Sequence, residues 1–168
     1  DWLRNRLIEY GMPSINNIVD LTNYVMIETG EPMHAFDMDK IGDSLEIRLA
    51  NKGEQMLTFL DQTLTLTGED LVWSNKEAIL SVAGAIGGKE RSISDNTTRV
   101  LLEAASYDRA NIRKSIHRLN LLTDAGIRHE KDLDPNIVEN AIYRSTNIKN
   151  MLQKSRTIFH PWITNPLL

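Results

Sequence analysis

Residues 11–37 read GMPSINNIVDLTNYVMIETGEPMHAFD, and the rest of the chain is organised around them. Apolar residues recur at helical spacing over residues 15–26, with Ser14 as the predicted N-cap and Gly30 as the predicted stop. A short turn fixed by proline follows and places His34 between apolar neighbours. A packed helix followed by a rigid turn can hold a polar group at a pocket wall, so His34 is a candidate site residue. The residues alone equally describe a turn histidine bonded to backbone.

Composition bounds the class of protein. The 168 residues are 41% hydrophobic and 25% charged, as in ordinary globular proteins, and are enough for one domain. The absence of cysteine excludes disulfides, thiolate metal sites and cysteine nucleophiles. No signal peptide or membrane-length apolar run is found, so we expect a cytoplasmic protein. The net charge of −4 disfavours a globally basic nucleic-acid binder. The first residue is not Met, and we expect a fragment of a longer polypeptide.

The pattern changes from helical to alternating at Ser44 and predicts several short strands separated by turns. The predicted strands are residues 45–49, 56–60, 63–66, 71–74, 78–83 and 99–105, and the predicted helices are 1–10, 15–29, 108–119 and one that Asp134-Pro135 opens. Residues 123–126 are a predicted turn, and the glycine-rich segment 84–88 is either a tight turn or a place where a ligand approaches the backbone closely. We expect an α+β fold with mainly antiparallel strands, as a sheet or a partly open barrel, covered by the terminal helices. Residues 153–168 show no clear period and are assigned as a divergent tail after a domain at 1–152.

Glu103 lies inside an apolar strand, between Leu102 and Ala104. Burying an unpaired carboxylate costs several kcal/mol, roughly, so a buried glutamate needs a partner. Two interpretations stay open on the residues alone. Glu103 is a site residue, or it faces solvent or pairs with an arginine such as Arg48 or Arg128.

Residues 107–131 are the most basic part of an acidic chain, with six Lys and Arg against three Asp and Glu. His117 and His129 add potential hydrogen-bond donors. Such a segment suits phosphate contact, although a solvated helix face is the more common meaning of this pattern. His34 has no second ligand at metal-binding spacing, so no metal site is predicted.

Several motifs, in a fixed order, closely resemble the beta subunit of bacterial phenylalanyl-tRNA synthetase. They are INNIVDLTNYVM (15–26), PMHAFD (32–37), AGAIGG (83–88), VLLE (100–103), LTDA (122–125) and RHEKDLDP (128–135). The resemblance covers roughly residues 1–152.

The resemblance implies a tRNA-editing module that hydrolyses tyrosine wrongly attached to phenylalanine tRNA. The family's pocket falls, position by position, on Thr22, Asn23, Pro32, His34, Gly87, Glu103, Thr123 and Ala125. Glu103 takes the position that accepts a hydrogen bond from the tyrosine phenol, and His34 the position near the ester and terminal ribose. The implied partners are phenylalanine tRNA, the alpha subunit and a second beta subunit in a heterotetramer. No cofactor is implied for this fragment, whereas the parent enzyme would use ATP and Mg at the alpha-subunit site.

One departure from the family pattern concerns the pocket. Pro13-Ser14 stands where the family usually has Arg-Pro or Arg-Ser, so a pocket cation is missing. The alternative is therefore an editing-inactive module that scaffolds the synthetase or contacts tRNA. A third interpretation, an unrelated α+β binding domain, requires the ordered motifs to be a coincidence.

Overall fold

The computed structural model describes residues 2–42 and 44–151 and, for the backbone, residues 158–164. The helices are α1 (Trp2–Tyr10), α2 (Asn17–Thr29), α3 (Met38–Ile41), α4 (Arg109–Leu119), α5 (Asp124–His129) and α6 (Ile137–Met151). The strands are β1 (Met33–Asp37), β2 (Glu46–Leu49), β3 (Gln55–Leu57), β4 (Thr63–Thr65), β5 (Leu71–Ser74), β6 (Ile79–Val82), β7 (Ile86–Gly87), β8 (Arg99–Ala105) and β9 (Ile158–Thr164). The predicted α+β class is confirmed. Among the described helices, none has the length and apolar character needed to cross a membrane.

A three-stranded sheet in the order β1-β8-β9 forms the middle layer of the fold. β8 pairs antiparallel with β1 and parallel with β9. Alternate side chains of a strand point to opposite faces, and both faces of β8 are buried. Leu102 and Ala104 lie in one apolar cluster with Ile18 of α2 and Ile142 of α6. The middle sheet is therefore covered by helices on that face.

The opposite face of β8 contributes to the largest apolar cluster of the described residues. Leu101 lies in this cluster with Phe36 of β1, Trp73 of β5 and Ile112 and Ile116 of α4. A four-stranded antiparallel sheet, β2-β5-β6-β7, forms the layer that supplies Trp73. The hairpin β3-β4 forms a separate two-stranded sheet. Residues on this face of β8 therefore point between two sheets, away from solvent.

The start of α2 differs from its prediction. The N-cap is Asn16, whose side chain accepts from the backbone N–H groups of Ile18 and Val19 at 3.1 and 3.0 Å. The Ser14 hydroxyl instead donates to the carboxylate of Asp20 at 2.5 Å. The predicted stop is confirmed, because Gly30 ends the helix with φ of 86°.

Several predicted turns take up regular structure. Residues 33–37, predicted within a turn, form β1 because β8 offers a pairing edge. Residues 38–41 form the single-turn helix α3. The predicted turn at 123–126 is the start of α5, since Thr123 caps Gly126 N–H at 3.0 Å.

Three predicted boundaries also move. The link between β3 and β4 is residues 58–62 rather than two residues. The last helix begins at Ile137, because Asp134 accepts from Asn136 N–H in a turn that precedes the helix. Part of the predicted tail, residues 158–164, forms β9, and the rest of it lies outside the described residues.

Asp70 joins the β4–β5 turn to α4 and is fully buried. Its carboxylate accepts from Thr67 N–H at 2.7 Å, from the Ser115 hydroxyl at 2.7 Å, and from the Arg118 guanidinium. Burial alone would raise the pKa of Asp70, but these hydrogen bonds outweigh it and hold the pKa below its ordinary value.

Asp70→Asn is therefore expected to lower the free energy of unfolding at pH 7 by about 2 kcal/mol, since an amide oxygen is a weaker acceptor for Arg118. A group with a depressed pKa in the folded state stabilises above its unfolded pKa and loses that effect as the pH falls. The difference from wild type in urea unfolding should shrink below about pH 4. Glu69→Gln, next to it and exposed, serves as the control. A constant difference across this pH range would contradict the ionised role of Asp70.

Candidate functional site

His34 and Glu103 occupy opposite positions on β1 and β8. Residues directly opposed in an antiparallel pair have Cβ atoms about 5 Å apart and point to the same face. The His34 ring packs edge-on against Phe36, with ring centroids 4.4 Å apart. The two side chains that the family resemblance places in the pocket are thus cross-strand neighbours on the face that points between the two sheets.

Glu103 is only 7% exposed, and its partner is a phenol rather than an arginine. The Tyr107 hydroxyl donates to Glu103 Oε1, and it accepts from Trp73 Nε1 at 2.9 Å. Burial raises the pKa of Glu103 to about 7, opposed by the hydrogen bonds from Tyr107 and Trp73. The two arginines proposed as partners pair elsewhere, Arg48 with Glu54 and Arg128 with Asp124. The interpretation of Glu103 as an arginine-paired or solvent-facing residue is therefore wrong.

Glu31 is a second buried carboxylate near Glu103. It is 1% exposed, and its carboxylate has no side-chain hydrogen-bond donor within the described part of the chain. Burial, and then repulsion from Glu103, raise its pKa to about 8, and hydrogen bonding to the Ala105 backbone opposes them in smaller measure. Glu31 also acts electrostatically on Tyr107. The two glutamates and the phenol form one buried acidic cluster.

The His34 ring lies against the backbone of Gly87. A Cβ atom added to Gly87 would lie 2.9 Å from His34 Nε2 and still closer to Cε1, so no other residue fits without moving the ring. Burial lowers the pKa of His34 to about 4, and the imidazole is therefore neutral at physiological pH. A neutral imidazole carries one nitrogen that accepts a hydrogen bond and one that donates.

Thr123 links the start of α5 to the loop before β7. Its hydroxyl donates to the carbonyl of Ala85 at 2.7 Å and accepts from Gly126 N–H. At the other end of α5, the buried His129 packs edge-on against Tyr107, with ring centroids 5.1 Å apart. α5 is thus joined both to the loop that carries Gly87 and to the phenol that holds Glu103.

The remaining predicted pocket residues have less direct links to this centre. Thr22 is buried on α2 and its hydroxyl donates to the carbonyl of Val19 at 2.9 Å. Its neighbour Asn23 and Ala125 of α5 are half-buried, and Pro32 is buried just before β1. The structure joins His34, Glu103, Gly87 and Thr123 through pairing and contacts. Among the described residues, no side-chain hydrogen bond joins Thr22, Asn23 or Ala125 to that group. Their role in a pocket stays a prediction.

Three members of the cluster, Trp73, Tyr107 and Glu31, were not identified from the sequence. Trp73 and Tyr107 read as core residues at strand and helix boundaries. Glu31 is one polar residue between Gly30 and Pro32. The only available signal was chemical, since a buried Glu103 requires a donor and tyrosine and tryptophan supply one to an apolar layer.

The basic segment 107–131 is only partly available to a phosphate ligand. Arg109, Arg118 and Arg128 form ion pairs, and His129 is buried. Three further cations, Arg113, Lys114 and Lys131, are exposed. Pro13, the position where the family resemblance implies an arginine, is exposed as well.

Comparison of the sequence with known protein families identifies the family of this α+β domain. The chain belongs to the B3/4 domain family, whose model matches residues 1–153.

The relatives it matches are phenylalanine–tRNA ligase beta subunits, which confirms the resemblance seen in the motifs. It is 43% identical over 148 residues to the subunit from Halalkalibacterium halodurans, an alignment that covers 88% of this chain and 18% of that one. The subunits from Solibacter usitatus and Gloeobacter violaceus are 41% and 40% identical over 88% of this chain and 19% of theirs. The chain thus spans about a fifth of the length of these relatives.

Gly87→Ala is expected to lower the free energy of unfolding by about 1–3 kcal/mol, because the new methyl group displaces the His34 ring. In a His34→Ala background the same change should cost much less, since the obstructing ring is gone. Chemical denaturation of the four members of this cycle measures the coupling. Gly68→Ala is the control, because the nearest atom to its added Cβ is 3.9 Å away. Equal costs of Gly87→Ala in both backgrounds would show that the contact with His34 does not constrain position 87.

Proposed function

We propose that this chain is the editing module of a phenylalanine–tRNA ligase beta subunit and hydrolyses the ester of tyrosine misattached to phenylalanine tRNA. The observation that carries the proposal is the buried carboxylate of Glu103, held beside a neutral His34 on the face of the sheet that Gly87 approaches. The proposal also rests on the family's pocket positions.

A buried acceptor gives the selectivity that such a reaction needs. Tyrosine differs from phenylalanine by one hydroxyl, and an apolar aminoacylation site discriminates poorly against an added hydroxyl. An editing site with a fixed acceptor reverses the preference. Bound phenylalanine would bury that acceptor without donating a hydrogen bond to it, which costs about 1–3 kcal/mol of binding free energy. Tyr107 occupies one oxygen of Glu103. A carboxylate has about four acceptor positions, so it can receive a second phenol.

Hydrolysis of the ester requires a positioned water and support for the oxyanion. The water oxygen forms a bond to the carbonyl carbon, the bond to the ribose oxygen breaks, and that oxygen takes up a proton. Free tyrosine and uncharged tRNA result. We assign to His34 the orientation of the water or of the terminal ribose, which a neutral ring can do by accepting or donating one hydrogen bond. A second polar group at this place is the Thr123 hydroxyl, which already bonds Ala85.

A second candidate function is an editing-inactive module that scaffolds the synthetase or contacts tRNA. Pro13 favours it, because the family's arginine would fix a substrate group from that position. In either case the proposed partners are phenylalanine tRNA, the alpha subunit and a second beta subunit in a heterotetramer. The exposed cations Arg113, Lys114 and Lys131 are suited to contact the phosphate backbone.

Glu103→Ala is expected to lower the ratio of the deacylation rates of tyrosyl-tRNA and phenylalanyl-tRNA by about 10- to 100-fold. This factor corresponds to the loss of one buried hydrogen bond to a charged group. The measurement is deacylation of both substrates by the complete synthetase that carries this chain. Glu139→Ala, which removes an exposed glutamate from α6, is the matched control.

Two other outcomes would contradict the proposal, one the editing activity and the other the role of Glu103. Equal, near-background deacylation by wild type and Glu103→Ala would favour the scaffold function. A collapse of the melting temperature in Glu103→Ala, with discrimination kept by the folded fraction, would make Glu103 a structural residue. Thermal unfolding of the same preparations separates these cases.

A further inference from the structure

Two buried glutamates share one site, but their hydrogen bonding is unequal. Glu103 receives the Tyr107 hydroxyl, and Trp73 fixes that hydroxyl from behind at 2.9 Å. Glu31 is as deeply buried and has no side-chain donor within the described residues, and only the Ala105 backbone interacts with its carboxylate there. A hydrogen-bond donor stabilises the ionised form of a carboxylate, and an unpartnered buried carboxylate is most stable when protonated.

We propose that Tyr107 is a positioning residue that places the single negative charge of this buried pair on Glu103 and leaves Glu31 neutral. Tyr107 thereby turns Glu103 into a fixed, charged acceptor for a ligand hydroxyl. The inference deepens the proposed function and rests on it for the identity of that ligand.

Among the residues whose side chains the structure describes, no charged group near the cluster fixes the charge. His34 on β1 and His129 on α5 face the cluster, and burial lowers the pKa of each to about 4, so both are neutral. No lysine or arginine of the described residues acts on either glutamate. On the opposite face of β8, α6 presents a buried stripe that is apolar except for Ser145. Register places His160 of β9 against Leu101, two positions from Glu103.

Burial raises the pKa of both carboxyls, and repulsion from Glu103 raises that of Glu31 further. When two carboxyl groups interact, their protons dissociate in two steps, and the two midpoints belong to the pair. The first proton is lost from the residue that has the donor. Trp73 strengthens the selection, because its N–H keeps the Tyr107 hydroxyl directed at Glu103 rather than free to rotate.

The first test follows the carboxyl carbons of both glutamates by NMR in the 168-residue chain labelled with ¹³C-glutamate, using Glu31→Gln to assign them. In the wild type, Glu103 is expected to ionise at lower pH than Glu31. In Tyr107→Phe, which keeps the ring and loses only the hydroxyl, the Glu103 midpoint should rise by about one pH unit or more, so that it no longer ionises first. Tyr143→Phe, which removes an exposed hydroxyl from α6, should leave both midpoints in place.

The second test measures the pH dependence of kcat/KM for tyrosyl-tRNA deacylation by the complete synthetase. The acid limb should move to higher pH by the same amount in Tyr107→Phe, so that activity lost at pH 7 returns at higher pH. A merely structural role for Tyr107 would lower the rate without moving the limb.

Each further outcome has a definite meaning. Earlier ionisation of Glu31 than of Glu103 in the wild type would overturn the inference. An unchanged Glu103 midpoint in folded Tyr107→Phe would overturn it as well. A wild type with the expected titration order but no deacylation would overturn the editing function and leave the role of Tyr107 in placing the charge intact.

Discussion

The pairing of β8 with β1 is the constraint on which the rest of the structure depends. β8 is buried on both faces, so each of its side chains has to suit either the helical layer or the layer between the sheets. Apolar residues do so without cost, whereas Glu103 cannot reach bulk water and needs a donor from within the protein. The same pairing sets His34 opposite Glu103 and brings Gly87 against the imidazole. β8 thus contributes both to the apolar core and to the site formed by His34 and Glu103.

Local patterns predicted the class of fold, because helical and alternating periods survive in any single segment. They could not choose between Ser14 and Asn16 as a cap, since both residues suit that position and the outcome depends on which one Asp20 engages. They missed β1, because residues 33–37 become a strand only through a partner more than sixty positions away. The ordered motifs predicted His34, Gly87 and Glu103. Tyr107 and Glu31 were not predicted, because their role depends on contacts between distant segments, and such contacts produce no periodic pattern in the sequence.

The buried acidic cluster costs stability that the fold recovers elsewhere. Replacing a buried polar group by an apolar one of similar volume is often neutral or stabilising. A module that only joined subunits would therefore gain from apolar residues at both glutamate positions. The chain instead keeps two carboxylates and builds Trp73 and Tyr107 around one of them. Such an arrangement is typical of a site whose chemistry, rather than whose packing, determines the residues.

The separation of β1 from β8 along the chain also bears on how the protein acquires its structure. Pairing joins Asp37 to Val100 and Met33 to Ala104, so the loop that closes spans 63 to 71 positions. Contacts of such long range are formed late, because the entropy of closing the loop is lost before any pairing is gained. As the polypeptide leaves the ribosome, α2 and β1 emerge well before β8 and present an unpaired edge. Until roughly seventy further residues have been synthesised, that edge lacks its native partner and is open to wrong pairing.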